Sequence, residues 1–553
     1  MDHLFTKEQD EITLQILTSL QTAYEATDIL LNEIKNNKDW SQFDTLTSTL
    51  NQLITVIMDA SEPYHKKYDF ITLPITCRCM LHTLSKIISA RSSDLKKCFG
   101  KLEFELVPAI EEAYQQFYFW TCVYSYPERE KEYYNQEIYE LSSNKYTNAS
   151  VKSGQFKYDL SIMVLAYNKL EYTKKCIEHL LPNIPKNLNC ELILFDNGST
   201  DGTAEYFESL NPTKLFQPKI NWGYGLAVNR IIESKYLLYV SNDVLVMPGV
   251  IENMLECIKS DDKIARIVPA TTNVSNRQAV IEGFKSFDDV YAYARKNNVP
   301  DPFRREERVR LCDPISLMDM SVYASEKGIC NFGYYRDKVM SFPDDMASLM
   351  LRRRGYKQIL QKDAFCYHFG SITVKNEIDP DFYTRGRKIF KKEFGVDPWG
   401  TGFCYDSPFE ERVVKDEQGH VEVLGINCGF GSNSLKIKEQ LKEYCNNLDC
   451  TLSNVTDDPS FISDLKGISD NAQLVTDIKS FEEFLDTHMY NYVVWQTPFI
   501  IRNDASAVFD LLLSHICPGG ILFVKSNNSF LEYANKNNLS VLSLPEEWIK
   551  LEV

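Results

Sequence analysis

An α/β core, preceded by a helical bundle and followed by a second, Rossmann-like α/β region, is the fold this chain of 553 residues predicts. Three observations predict it. Apolar residues before residue 150 recur at helical spacing, short apolar runs alternate with amphipathic segments from residue 160 onward, and the alternation resumes after a polar stretch near residue 410. The expected division is a bundle over 1–155, an α/β core over 156–404, a linker over 405–419 and a Rossmann-like region over 420–553. At roughly 100–200 residues per domain, the length suits about three.

The first region carries Ile12, Ile16, Leu20 and Tyr24 on one helical stripe and Leu46, Leu50, Leu53, Ile54 and Ile57 on another. No glycine precedes Gly100, and between Leu102 and Tyr124 the only breaker is Pro108. A bundle buries such stripes. Nothing in it suggests chemistry; His65 and His82 read as core or surface residues.

After Tyr158 the period changes. Leu160–Ala166, Leu192–Phe195, Leu237–Val240, Ile264–Val268 and Gln358–Leu360 are short apolar runs of the kind that buried parallel strands have. Tyr172–Leu181 and Ala204–Leu210 read as crossover helices. In the last region Val421–Ile426, Tyr492–Trp495 and Ile521–Val524 read as strands, Leu435–Tyr444 and Ala505–Ile516 as helices, and Cys517-Pro-Gly-Gly520 as a turn.

Charge narrows the function. The net charge is −17 and the pI about 5.1, which argues against nonspecific nucleic-acid binding and against anionic lipid as a partner. The 15 cysteines are odd in number and follow no framework, so a reducing compartment is expected. The start, Met1 to Lys7, lacks a basic segment followed by an apolar one, and no run reaches the roughly 18–20 apolar residues of a membrane span. A cytoplasmic protein without a membrane span is the expectation.

Six features carry chemistry. Ser161 to Lys169 is a strand running into a polar loop, with Ala166, Tyr167 and Asn168 at its carboxyl end, where open α/β sheets bind ligands. Asp196-Asn-Gly-Ser-Thr-Asp201 delivers a carboxylate from a strand end into a turn, and Ser199, Thr200 and Asp201 can cap the following helix. Asp196 at such a place is a fixed acceptor for a nucleobase N–H. Asn221-Trp-Gly223-Tyr-Gly, with Asn229 further on, offers small residues where a backbone can approach a ligand. Asn242-Asp243 closes a hydrophobic strand and suits Mg²⁺ or Mn²⁺, which take one or two carboxylates plus substrate phosphates. Asp344-Asp345 opens a helix, either as an N-terminal cap or as the source of a general base. His368 ends a short strand before Gly-Ser and is a candidate further metal ligand.

Taken in this order, the six features resemble the inverting family 2 glycosyltransferases with the GT-A fold, over about 240 residues. The resemblance implies a nucleotide pocket lined by Ala166, Tyr167, Asn168, Asp196, Asp201, Asn221, Gly223, Asn229 and Asn242. It implies a metal site at Asp243 and His368, with Ser241-Asn242-Asp243 where the family has a DXD-type motif, so the first acid of that motif is missing here. It places the base in the Asp344-Asp345 pair. Asp345 is taken first, although the distance to Gly355 admits either. The donor implied is a UDP-sugar such as UDP-N-acetylglucosamine, with Mn²⁺ or Mg²⁺. By analogy with bacterial enzymes that glycosylate flagellin and other surface proteins on Ser/Thr, the acceptor is expected to be a protein hydroxyl; the alternatives are a polysaccharide or cell-wall glycosyltransferase and a non-catalytic sugar-nucleotide-binding or methyltransferase-like module.

The last region resembles class I S-adenosylmethionine methyltransferases through Val423-Leu-Gly-Ile-Asn-Cys-Gly-Phe-Gly431 and the later Cys517-Pro-Gly-Gly520. It departs from them at Gly425, where an acid is usual, at Asn427, where a glycine is usual, and near Leu452-Ser-Asn454, where no ribose-binding acid stands. A degenerate domain that does not use S-adenosylmethionine is expected.

Overall fold

A computed structural model describes residues 7–37, 39–67, 73–118, 121–122, 154–217, 232–323, 342–370, 382–446, 449–498, 505–525 and 528–553. The chain divides into two compact units. One comprises Met1–Met247, Pro314–Pro343 and His368–Gly386; the other comprises Pro248–Asp313, Asp344–Tyr367 and Arg387–Val553. In chain order the strands are β1 Leu160–Ala166, β2 Cys190–Asp196, β3 Lys214–Phe216, β4 Tyr236–Ser241, β5 Val244–Leu245, β6 Ile264–Thr271, β7 Arg305–Glu307, β8 Ile315–Asp319 and β9 Lys357–His368. The second sheet follows with β10 Val421–Ile426, β11 Cys450–Thr456, β12 Asn471–Leu474, β13 Tyr490–Trp495, β14 Ile516–Lys525, β15 Val541–Leu544 and β16 Trp548–Glu552.

The first unit begins with helices Lys7–Asn37, Phe43–Lys67, Leu73–Ala90, Leu95–Lys101 and Val107–Tyr118. The predicted stripes face inward: Ile16, Leu20, Tyr24, Leu50, Ile54 and Ile57 are all buried in one apolar cluster. A π-helical turn, Leu102–Leu106, joins the last two helices. From this turn the buried Glu105 carboxylate accepts from Lys101 Nζ at 2.8 Å and from the backbone N–H of Gln217 at 3.1 Å, just beyond β3. In the sheet, β1 pairs in parallel with β2 and β4, β2 pairs with β3, and β8 runs antiparallel to β4. Ala166 sits opposite Asp196 and Leu165 opposite Ser241, so three strands end level.

In the second unit β9 pairs in parallel with β6 and antiparallel with β7. The other sheet has the order β12-β11-β10-β13-β14-β16-β15 and is parallel except at β16. The α/β class is therefore the expected one, with a helical start and a Rossmann-like second sheet. Three local features differ from expectation. β9 runs to His368, well beyond Leu360. Cys517-Pro-Gly-Gly520 is a bulge inside β14, because Tyr490 pairs with Ile516 while Tyr492 pairs with Ile521. The polar stretch 405–419 is packed: Tyr405, Phe409 and Val414 are buried, and Phe409 meets Phe523 and Trp548 edge-on. Asp406 accepts from Lys525 Nζ at 2.7 Å and Trp548 Nε1 at 2.8 Å, anchoring it.

Within the second unit a band of charged groups joins β7 and β9 to the helix Ser432–Cys445. Buried Glu306 meets Lys436 at 2.8 Å, Arg308 at 3.2 Å and Lys362 at 3.3 Å. Its neighbour Glu307 is less fortunate: its N–H donates to Glu439 Oε2 at 3.0 Å, and burial together with the Glu439 charge pushes its own carboxyl up to about 7. Raised above its unfolded value, this carboxyl favours the fold while protonated; that contribution is whole below the ordinary glutamate range and is lost as pH rises through about 7. Glu307→Gln is expected to raise the thermal midpoint at pH 8 and to leave it unchanged at pH 5. Identical midpoints at pH 8 would contradict the strain.

Candidate active site

In the first unit the level ends of β1, β2 and β4 present their loops side by side. Asn197 N–H donates to Ala166 O at 2.7 Å and Asn242 N–H to Leu165 O at 3.1 Å. Ala166 is buried and Tyr167 half-buried. Asn168, at φ 56°, donates its N–H to Ser199 Oγ at 2.7 Å and accepts from Thr200 N–H through Oδ1 at 2.8 Å. Asp201 caps two helices together, accepting from Leu170 N–H at 2.8 Å and from the Thr203 N–H at 3.2 Å and hydroxyl at 2.7 Å. Partial burial works to raise the Asp201 carboxyl, but the Thr203 hydroxyl and these N–H groups outweigh it and hold it below the usual range. Asn242 turns its amide inward, to Asn168 O at 3.0 Å and Thr173 Oγ1 at 2.9 Å, and so braces the β1 loop.

Asp196 is buried, and one of its oxygens accepts from Ser199 N–H at 3.1 Å. Burial raises its carboxyl, against the pull of Ser199. Asp243 Oδ2 lies 3.3 Å from His368 Nε2, with both side chains buried. Phe369 N–H donates to Asp243 O at 3.0 Å and ties the two segments together. A carboxylate beside an imidazole is a donor set that fits a divalent cation completed by substrate oxygens. Among the described residues no group of three or more His, Cys, Asp or Glu could hold a metal ion.

The acid pair belongs to the second unit, on the helix Pro343–Arg353. Its members differ. Asp345 is buried and gripped at both oxygens by Arg310, one bond being Nη2 to Oδ2 at 3.2 Å. Burial raises its carboxyl and Arg310 opposes the rise. Asp344 is only half-buried by exposure, yet its surroundings push its carboxyl well above the usual range, through desolvation first, then the charge and side-chain hydrogen bond of Asp313; the Arg266 guanidinium opposes this. Arg266, fully buried in β6, pairs with Asp313 at 2.7 Å. Sequence reading missed Arg266, Asp313 and Arg310. The available signal was an arginine inside the apolar run Ile264–Val268, which demands a buried counter-charge.

The structure thus brings Ala166, Tyr167, Asn168, Asp196, Asp201, Asn242, Asp243 and His368 into one unit and Asp344 and Asp345 into the other. Asn221, Gly223 and Asn229 lie outside the described residues. In the second sheet β11 runs past Leu452–Asn454 to Thr456, and Asp457 follows it.

Residues 161–306 match the family model of glycosyl transferase family 2, a span that includes Asp196 and Asp243 and ends before the acid pair. A curated relative, the glycosyltransferase GlyG of Streptococcus pneumoniae serotype 4, is 27% identical over 110 residues, which is 19% of this chain and 36% of that protein. The chain therefore spans about a third of that relative's length. Among solved structures, the mannosyltransferase PcManGT from Pyrobaculum calidifontis, in complex with GDP-Man and Mn²⁺, is 12% identical with a TM-score of 0.28, over 43% of this chain and 64% of that one. TarS 1–349 of S. aureus, in complex with UDP, is 16% identical with a TM-score of 0.29, over 43% and 65%.

Proposed function

We propose that this chain is a family 2 inverting glycosyltransferase that moves a sugar from a UDP-sugar, N-acetylglucosamine being the first candidate, to a hydroxyl group. The acceptor in this proposal is Ser or Thr of a bacterial surface protein such as flagellin. The observation that carries the proposal is the family match over 161–306, which holds the buried Asp196 and Asp243, the latter 3.3 Å from His368 beyond the matched span. Asp196 accepts from the base of the nucleotide, and the laced loops after β1 and β2 hold that carboxylate in place. Asp243 and His368 would hold Mn²⁺ or Mg²⁺. When bound, such an ion neutralises charge on the leaving diphosphate, an effect worth several kcal/mol, or on the order of 10²–10³-fold in rate.

A carboxylate of the acid pair takes the proton of the acceptor hydroxyl, and the oxygen attacks the anomeric carbon as the diphosphate leaves from the opposite face. Asp344 is favoured over Asp345 for this role. Arg310 occupies both oxygens of Asp345, whereas Asp344 has a raised affinity for a proton and Asp313 as hydrogen-bond partner. A base works best with a pKa near the operating pH, and the rise moves the Asp344 carboxyl in that direction.

In a thermal-shift panel of nucleotide sugars, a UDP-sugar with Mn²⁺ is expected to raise the thermal midpoint, and the same sugar is expected to be slowly hydrolysed. Asp243→Ala is expected to lose the Mn²⁺ stimulation, by about 10²-fold. A panel in which no nucleotide sugar shifts the midpoint would defeat the proposal.

A further inference from the structure

The second sheet contains a turn built like a cofactor cradle. Asn427 to Gly431 lies between the carboxyl end of β10 and the start of the helix Ser432–Cys445. In open α/β sheets a ligand rests on such a turn, against its backbone N–H groups. Here the chain's own loop rests on it. Phe430 N–H donates to Thr401 O at 2.9 Å and Ser432 N–H to Gly402 O at 3.2 Å. A Cβ on Gly429 would lie 2.0 Å from Thr401 O, and one on Gly402 would lie 2.0 Å from Cys428 O. Asp457, the acid at the end of β11, is bound to the turn as well: Asn427 Nδ2 donates to its Oδ1 at 2.8 Å, and its N–H donates to Asn427 Oδ1 at 3.0 Å.

Beside this turn, the helix Ile462–Ile468 carries a fully buried acid, Asp464. One oxygen of Asp464 accepts from Arg352, with Nε at 2.9 Å, and the other from Arg353, with Nε at 3.0 Å and Nη2 at 2.9 Å. Both arginines end the helix that begins with Asp344 and Asp345. The approach is close enough that a Cβ on Gly467 would lie 2.0 Å from Arg352 O, and the Phe430 ring lies 5.1 Å from the Arg352 guanidinium. Arg352 Nη1 also donates to Val309 O at 2.5 Å. The next residue, Arg310, is the one that grips Asp345. A small cleft is lined by Arg310, Asp345, Arg352, Phe403 and Phe430.

We propose that the C-terminal sheet has given up its cofactor cleft to the Thr401-Gly402 loop and positions the acid pair instead, with Asp464, through Arg352 and the Val309–Arg310 segment, as the positioning residue. This rests on the reading of the acid pair as the source of the base. Asp464 touches no reacting atom in this scheme; it fixes the far end of the acid-bearing helix and the segment that holds Asp345.

The test uses the full chain. Asp464→Asn alone leaves two arginines short of a counter-charge and risks unfolding. The double variant Asp464→Asn/Arg352→Met removes a fully buried charge pair together and leaves Arg353, which reaches solvent. It is expected to fold, with amide hydrogen exchange over residues 343–353 about tenfold faster or more. For hydrolysis of UDP-N-acetylglucosamine with Mn²⁺, kcat is expected to fall about tenfold with KM little changed, and the pH profile to move. Asp464→Glu should recover part of the rate. Calorimetric titration with S-adenosylmethionine should give no heat, and micromolar binding would overturn the filled cleft. A folded double variant with unchanged exchange, or with wild-type kcat and pH profile, would overturn the positioning role. If Asp344→Asn and Asp345→Asn both hydrolyse the donor at the wild-type rate, the acid-pair reading fails, and the exchange measurement still decides whether Asp464 anchors the helix.

Discussion

Asp344→Asn is expected to stop sugar transfer and, above neutral pH, to give a more heat-resistant protein. The loss of a general base should cost on the order of 10²–10⁴-fold in kcat, with donor binding retained. The gain in stability comes from the same cause. Desolvation and Asp313 raise the Asp344 carboxyl well above its unfolded value, so the folded state prefers it protonated. Its contribution is whole below the ordinary aspartate range and is lost as pH rises through the raised value. The asparagine amide is neutral at every pH and can donate to Asp313. Thermal midpoints of wild type and variant should therefore converge toward pH 4–5 and part at pH 8, the variant being higher. Full transfer activity in the variant would remove Asp344 from the mechanism. A variant midpoint at pH 8 below that of wild type would refute the electrostatic account.

The second large effect is structural. Gly402 and Gly419 share a left-handed backbone, at φ +71° and +75°. An alanine at Gly419 meets nothing within 4 Å, so it carries only the strain of that conformation, about 1 kcal/mol. An alanine at Gly402 carries the same strain and also drives its Cβ to 2.0 Å from Cys428 O, with the N–H groups of Gly431 and Phe430 each at 3.1 Å. All three are backbone atoms, so no side chain can swing away. The loop must lift off the turn and lose two hydrogen bonds, for a total on the order of 3–6 kcal/mol. Denaturant titrations should show Gly419→Ala close to wild type and Gly402→Ala far below it. Equal midpoints would mean that the loop does not bear on the turn.

Much of the fold was legible because buried parallel strands are written as unbroken apolar runs. Leu160–Ala166 and Val421–Ile426 coincide with β1 and β10 to the residue. What escaped is polar structure whose stability depends on distant partners. β7 is Arg-Glu-Glu, which no periodicity marks as a strand; it is one because its charges meet Lys436, Lys362 and Asp363. The stretch 405–419 looks solvated because its charges outnumber its apolar residues, yet Phe409 at 0% exposure makes it part of the core. In the site, Asp196, Asp243 and His368 were legible as acids and an imidazole at strand ends. The different surroundings of Asp344 and Asp345 were not, because adjacent identical residues are told apart only by what faces them, here Asp313 and Arg310. Asn242 and Asp201 could be placed at the loops, but the direction of their side chains follows from hydrogen bonds to Asn168, Thr173, Leu170 and Thr203.

The carboxylate of Glu105 reaches out of the helical bundle to the backbone N–H that follows the short outer strand β3. A strand on the rim of a sheet exposes unsatisfied amide groups that invite a neighbouring molecule to add its own strand. With the buried Lys101–Glu105 pair beside it, the bundle covers the amide of Gln217 just past that rim and leaves one group fewer for such an addition.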